Sequence, residues 1–327
     1  MTMVVAGPAS SLTTTLTSEM QTYYDRVFLE RSVQEQVYSF LTVKKTVPKN
    51  SGKSVAWTRQ TAFTPSTVAL TEGTNPTGTP FSSTTVSATL ASYGDFDAIS
   101  SLFEMTSIDT GLEEKVATMG QYAGEKMDTV LLTAMVGGGT RQYAGAGGLT
   151  GVSSTDVMTV AELRKAVRTL KVAKAPKFEA PVGKVTGGAY RGVIDSYSWY
   201  NLMGDSAVGN FTTVNIAGSP ENVSLVKDQE IKRLAGIDLI ESNNVASLAT
   251  LGASSSDTGY ISFIAGKGAV GEVDIAGSGN YRIIHEPSTS GGVANPLHMY
   301  GTIGWKVDAY AAKVLNSSWL VEIVTRP

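Results

Sequence analysis

The chain has 327 residues, 42% of them hydrophobic and 17% charged, with a formal net charge of −3 and no cysteine. That length and apolar content can bury the core of one large or two ordinary domains, which excludes a disordered chain. The scattered Lys and Arg form no basic stripe for reading duplex DNA, and a chain without Cys uses neither disulfides nor thiolate metal sites, in keeping with a reducing cytoplasm.

The first twelve residues carry no Lys or Arg, and Gly7-Pro8 interrupts their short apolar opening, so they do not read as a signal peptide. From Thr17 to about Phe40 the pattern predicts a helix, with Met20, Tyr23, Val27 and Val33 on roughly one side and Arg26 and Arg31 among its charges. This helix is either an ordinary amphipathic one or an arm that packs on a neighbouring subunit. Helical periodicity then gives way to Ser, Thr, Val and aromatics between Thr46 and Ser100. The best strands there are Lys53 to Arg59, which includes Trp57, and Thr84 to Leu90; the turn formers around Glu72-Gly73 lie between them. They predict a long hairpin with an irregular tip and few bulky apolar residues, one that finds little cover in its own chain. An isolated two-stranded ribbon is marginal in water, so a neighbour is expected to cover it.

Asp109 is expected to cap a helix to about Val136, with Leu112, Val116, Met119, Ala123, Met127, Val130 and Ala134 inward. Glu113, Glu114, Gln121, Glu125 and Asp128 are expected to face away, and Gly137-Gly138-Gly139 to end the helix. A second helix is predicted from a capping box, Thr159 with Glu162, that turns Leu163, Ala166, Val167 and Leu170 inward. Ala189–Ile194, Gly259–Ile264, Tyr281–His285 and Ser318–Val324 read as strands and Ser198–Met203 as a helix. The class is mixed α+β, with a closing strand expected to return to a sheet formed earlier.

Motifs that carry chemistry are weak. Gly266-Lys267-Gly268-Ala269-Val270-Gly271 matches the dinucleotide fingerprint, but the next segment, Glu272 to Gly277, alternates and then breaks at glycines where a helix is required. Gly204-Asp205-Ser206 resembles an esterase nucleophile block, yet neither His285 nor His298 has an Asp three residues earlier. His285-Glu286-Pro287 cannot form a helical metal motif. Asp95 and Asp97 project from one face of a strand and are the one candidate carboxylate pair, read as salt bridges, caps or a cation at a subunit contact rather than as catalysts. The two long uncharged runs, Gly73–Gly94 and Pro287–Trp305, are too rich in Ser, Thr, Gly and Pro to span a bilayer. No catalytic, cofactor or metal site is expected, and no enzyme.

A set of short segments in order points elsewhere: Met20 to Val27, Leu29-Glu30-Arg31, Pro48 to Lys53, Leu70-Thr71-Glu72-Gly73, Tyr93-Gly94-Asp95-Phe96, Tyr190 to Asp195, Leu234 to Ile237, and Gly301 to Lys306. With Phe263 to Lys267 and Asn295-Pro296-Leu297, they resemble the major capsid proteins of tailed phages of the Enquatrovirus type, which have the Hong Kong 97-like shell fold. The resemblance implies an arm (1–45), an extended loop (46–100), a peripheral domain (101–154 and 288–327) with a spine helix (109–136), and an axial domain (155–287). It implies a virion protein made in the host bacterial cytoplasm that assembles with itself into the pentamers and hexamers of an icosahedral head. Double-stranded DNA would be enclosed by diffuse contact, with scaffolding, portal and decoration proteins as possible partners and no membrane. A chain that starts close to its arm helix is expected to use a separate scaffolding protein or none. Glu72, Arg59, Trp57, Asp95, Asp97, Arg26 and Arg31 are the candidate contacts between subunits. The alternatives are an encapsulin-like bacterial compartment and, in a different class, an esterase using Ser206.

Overall fold

The computed structural model describes residues 26–32, 35–48, 52–60, 82–102, 112–145, 148–153, 155–179, 188–205, 232–251, 257–275, 281–286 and 297–326, and single positions between 67 and 78. Its strands begin with β1 (Thr42–Val47), β2 (Ser54–Gln60), β3 (Ser83–Thr89), β4 (Ala91–Ser100) and β5 (Thr140–Tyr143). They continue with β6 (Tyr190–Asp195), β7 (Lys232–Leu234), β8 (Ile237–Ser242), β9 (Ala246–Leu251) and β10 (Asp257–Ala265). The last four are β11 (Val270–Ile275), β12 (Tyr281–Glu286), β13 (Tyr300–Val314) and β14 (Leu320–Thr325). The helices are α1 (Leu112–Met135), α2 (Gly148–Gly151), α3 (Val160–Val172) and α4 (Ser196–Gly204). This is the mixed α+β class that the sequence predicts.

Two compact units share the chain: residues 1–39, 92–132 and 277–308 form the first, residues 40–91, 133–276 and 309–327 the second. In the first, β12 and β13 pair antiparallel from Tyr281↔Val307 to Glu286↔Thr302, and β4 pairs with β13. Within this unit α1 buries Val116, Gly120, Ala123, Gly124, Met127 and Leu131, recurring at steps of three and four. Asp128 corrects the sequence reading: it is buried, because its carboxylate accepts the Tyr38 backbone N–H at 2.8 Å. The segment 26–32 is helical and packs on α1 where two glycines allow it. A Cβ on Gly120 would stand 2.7 Å from the Phe28 carbonyl oxygen, and one on Gly124 2.5 Å from that of Ser32. Asp109 and residues 17–25 of the predicted arm lie outside the described residues.

The second unit is built on a seven-stranded sheet, ordered β5-β14-β10-β6-β8-β7 with β9 on β10. β14 returns as expected, antiparallel to β10 and parallel to β5. All six of its residues are buried, which explains its near-continuous apolar sequence. Glu322 is its one charged residue. Its carboxylate accepts from Arg141 Nε at 3.1 Å and from Gly139 N at 2.8 Å, so the buried charge is paired on both oxygens. α3 lays Leu163, Ala166 and Leu170 against Tyr190, Ile194, Ile264, Val321 and Ile323.

The expected capping box does not form. Thr159 occupies the N-cap position of α3 without a side-chain hydrogen bond. The Val160 N–H instead donates to Asp205 Oδ2 at 2.9 Å, and Glu162 is drawn away to Gln142 Nε2 at 2.7 Å and Lys165 Nζ at 2.5 Å. α4 makes a true side-chain cap, with Asp195 accepting from Ser198 N at 2.9 Å.

Candidate functional site

The ribbon is the feature whose local physics most needs a partner. β2 and β3 pair antiparallel from Ser54↔Thr89 to Gln60↔Ser83. Alternation gives one face made of Ser54, Ala56, Thr58, Gln60, Ser83, Thr85, Ser87 and Thr89, all exposed and uncharged. The Thr58 and Thr85 hydroxyls stand 3.4 Å apart across it. The other face is not bare, which corrects the expectation that the hairpin lacks cover in its own chain. At the base, Val55 joins Val47, Val273 and Ala311 in a small core that Trp57, Ala88 and Leu90 flank. Four small and medium side chains suffice there because a glycine lets the indole in. A Cβ on Gly271 would lie 3.0 Å from Trp57 Cε2.

Trp57 and Arg59 are thus engaged within their own unit. Lys45 Nζ sits 5.8 Å from the Trp57 ring centroid and donates to the Ala56 carbonyl at 2.7 Å. The Arg59 guanidinium lies 5.5 Å from the Trp319 ring centroid, within cation–π range. Glu72 is exposed in a turn between the two strands. Arg26 and Arg31 are exposed on the helical segment of the first unit.

Asp95 and Asp97 face α1. Asp95 Oδ2 accepts from Lys126 Nζ at 3.2 Å and from Tyr122 Oη at 3.1 Å, and Oδ1 accepts from Phe96 N at 3.0 Å. The Lys126 hydrogen bond is the chief reason the Asp95 carboxyl is held below its ordinary pKa, with the Phe96 N–H and Tyr122 hydroxyl adding to it. Asp97 has Lys115 Nζ at 3.9 Å. Each carboxylate therefore has its own cation, an arrangement that ties a strand to a helix. On the other face of the same sheet, Phe96 and Ile284 are exposed on either side of Gly304, which pairs with Ile284 and whose added Cβ would lie 2.9 Å from Phe96 Cβ. A shallow apolar groove with a glycine floor results.

The remaining motifs assemble nothing. Gly266 to Ala269 forms a turn, with Gly268 at φ +82°, that runs into strand β11 where a dinucleotide site needs a helix. Asp205 is spent on the Val160 N–H, and Ser206 lies outside the described residues. His285 stands on β12 opposite Ile303, while His298 is exposed. Among the described residues, no group of three His, Asp or Glu is placed to hold a metal ion, and no helix is long and apolar enough to cross a membrane.

Sequence reading missed Gly271, Trp319 and Lys45 as partners of the ribbon. Gly271 sits inside a strand of alternating apolar and acidic residues, and an isolated glycine in a strand is the signal of close approach by another group. Nothing comparable announces Trp319, which is 262 positions from Trp57 in the chain.

No protein-family model matches the sequence, and no curated protein is similar enough to count as a relative. Solved structures are similar over most of the length. The capsid of Ralstonia phage GP4 matches with a TM-score of 0.65 at 14% identity, over 88% of this chain and 87% of that one. The capsid protein of cyanophage Pam1 matches with a TM-score of 0.62 at 16% identity, over 85% and 86%. A virus-like particle from Pyrococcus furiosus matches with a TM-score of 0.50 at 9% identity, over 93% and 99%. The chain has the Hong Kong 97-like fold of tailed-phage capsid proteins.

Proposed function

We propose that this protein is a major capsid protein that assembles with itself into the pentamers and hexamers of an icosahedral head enclosing double-stranded DNA. The observation that carries the reading is the capsid fold held over nearly nine-tenths of the chain, with a ribbon whose Ser/Thr face is wholly exposed in the single subunit. In this reading residues 46–100 are the extended loop that crosses to a neighbour and 109–136 the spine helix. Residues 101–154 with 288–327 then form the peripheral domain and 155–287 the axial one. Contact with DNA is diffuse, since a net charge of −3 offers no phosphate-tracking surface and the closed shell supplies containment. Scaffolding, portal and decoration proteins are its further partners in the virion, and its role is structural.

Purified protein examined by negative-stain electron microscopy is expected to show closed icosahedral particles or five- and six-fold capsomers. A protein that stays monomeric at every concentration and ionic strength, also when co-expressed with its neighbouring genes, overturns the reading. The likeness to the Pyrococcus furiosus particle favours a second shell reading, an encapsulin-like compartment. Genes for a portal and a terminase beside this one decide for the phage head.

A further inference from the structure

We propose that the angle at which the ribbon leaves its subunit is fixed before assembly by a seat in the same subunit, made of Gly271, Trp319 and Lys45. The consequence for assembly rests on the capsid reading above; the seat itself does not. Two anchor points on one face of β2 hold the ribbon. At the first, the Trp57 indole lies against Gly271 with Lys45 5.8 Å from the ring centroid. At the second, two residues further out, Arg59 lies over Trp319. Residues 57 and 59 point the same way on a strand and their Cα atoms are about 7 Å apart, so the two contacts fix both the direction and the roll of the ribbon.

Both anchor points stand on elements that do not yield. Gly271 lies in β11 between β1, through Val43, and β13, through Lys313. The Trp319 indole N–H donates to the Ala173 carbonyl at 3.1 Å, which fixes the ring under the guanidinium. A glycine inside a paired strand weakens that strand, so its presence there calls for a compensating contact. The indole supplies one, since any Cβ at Gly271 would meet Trp57 and also Leu315 Cδ1 at 2.9 Å. A two-stranded ribbon with one hydroxyl-lined face open to water would otherwise sample many orientations, and each subunit would lose that freedom on binding a neighbour. A seated ribbon has lost it already.

The test is amide hydrogen exchange on the full-length unassembled protein, comparing the parent with Arg59→Gln and Gly271→Val. Residues 83–89 are expected to exchange about tenfold faster in both variants, with α3 and β14 unchanged. Unchanged exchange at residues 83–89 in Arg59→Gln overturns the seat. So does faster exchange there that spreads equally to α3 and β14, since that is general destabilisation. If Gly271→Val loosens β14, the partly exposed Arg59 position decides alone. Light scattering then reads the consequence: the concentration at which particles appear is expected to rise about tenfold in Arg59→Gln. A parent protein that never assembles while its variants show the expected exchange overturns the capsid reading and leaves the seat standing.

Discussion

Asp95 shows how one side chain registers pH in this protein. Its carboxyl, bonded to Lys126 first of all, has a pKa below its unfolded value. Ionised Asp95 therefore favours the folded state above the ordinary carboxylate range, and that contribution is lost as pH falls through the lowered folded pKa. Asp95→Asn is expected to lower Tm slightly at neutral pH, with the gap to the parent closing as pH falls through and below the ordinary carboxylate range. A gap that stays constant across that range would show that the charge plays no part. Glu322 is the opposite case, a carboxylate with no exposed surface whose partner Arg141 is part-buried. Removing it leaves a guanidinium and the Gly139 N–H without their acceptor, so Glu322→Ala is expected to cost about 3 kcal/mol in denaturant unfolding. Glu322→Gln, which keeps the shape and an acceptor oxygen, should cost clearly less.

At the scale of elements, the contact between α1 and segment 26–32 depends on two positions without side chains. Gly124→Ala raises the helix propensity of α1 by about 1 kcal/mol, yet its methyl must occupy the place of the Ser32 carbonyl. The two effects act on different elements: the helix gains while the segment packed on it is displaced. Limited trypsin digestion is expected to cut after Arg26 and Arg31 about tenfold faster in this variant, with the thermal transition little changed. Equal cutting rates would show that the segment is held elsewhere. The same pair of elements shows what a sequence can convey. The three- and four-residue recurrence in α1 is visible because burial repeats with the helix, and β14 is visible because a doubly covered strand is mostly apolar. Asp128 is misread because a polar residue on a helix looks solvated until its partner is known, and the capping box fails because Glu162 is taken by other partners. Their partners, Tyr38 and Gln142 among them, come from other segments. The same holds for the ribbon, where the sequence offers Trp57 and Arg59 as contacts between subunits and does not reveal their own-chain partners Gly271 and Trp319.

At the scale of the whole molecule, the ribbon divides into a seated base and a tip with a different task. Val55, Trp57 and Arg59 hold the base by contacts made inside one subunit, while Glu72 and Gly73 are exposed in a turn. Deleting Thr64 to Phe81 and closing the gap with a short Gly-Ser turn therefore spares the seat, the buried stripe of α1 and the sheet that contains β14. Circular dichroism and thermal cooperativity should stay close to the parent, because the small core under the ribbon, the buried stripe of α1 and the sheet that contains β14 are all kept. On the capsid reading proposed above, assembly should not survive, since a strap that no longer reaches its neighbour removes the area on which subunit association depends. Monomers or small capsomers are the expected products by size-exclusion chromatography and negative-stain imaging. Closed shells of normal size from this variant would show that the tip is not a strap, and a monomer that unfolds would show that it serves its own subunit.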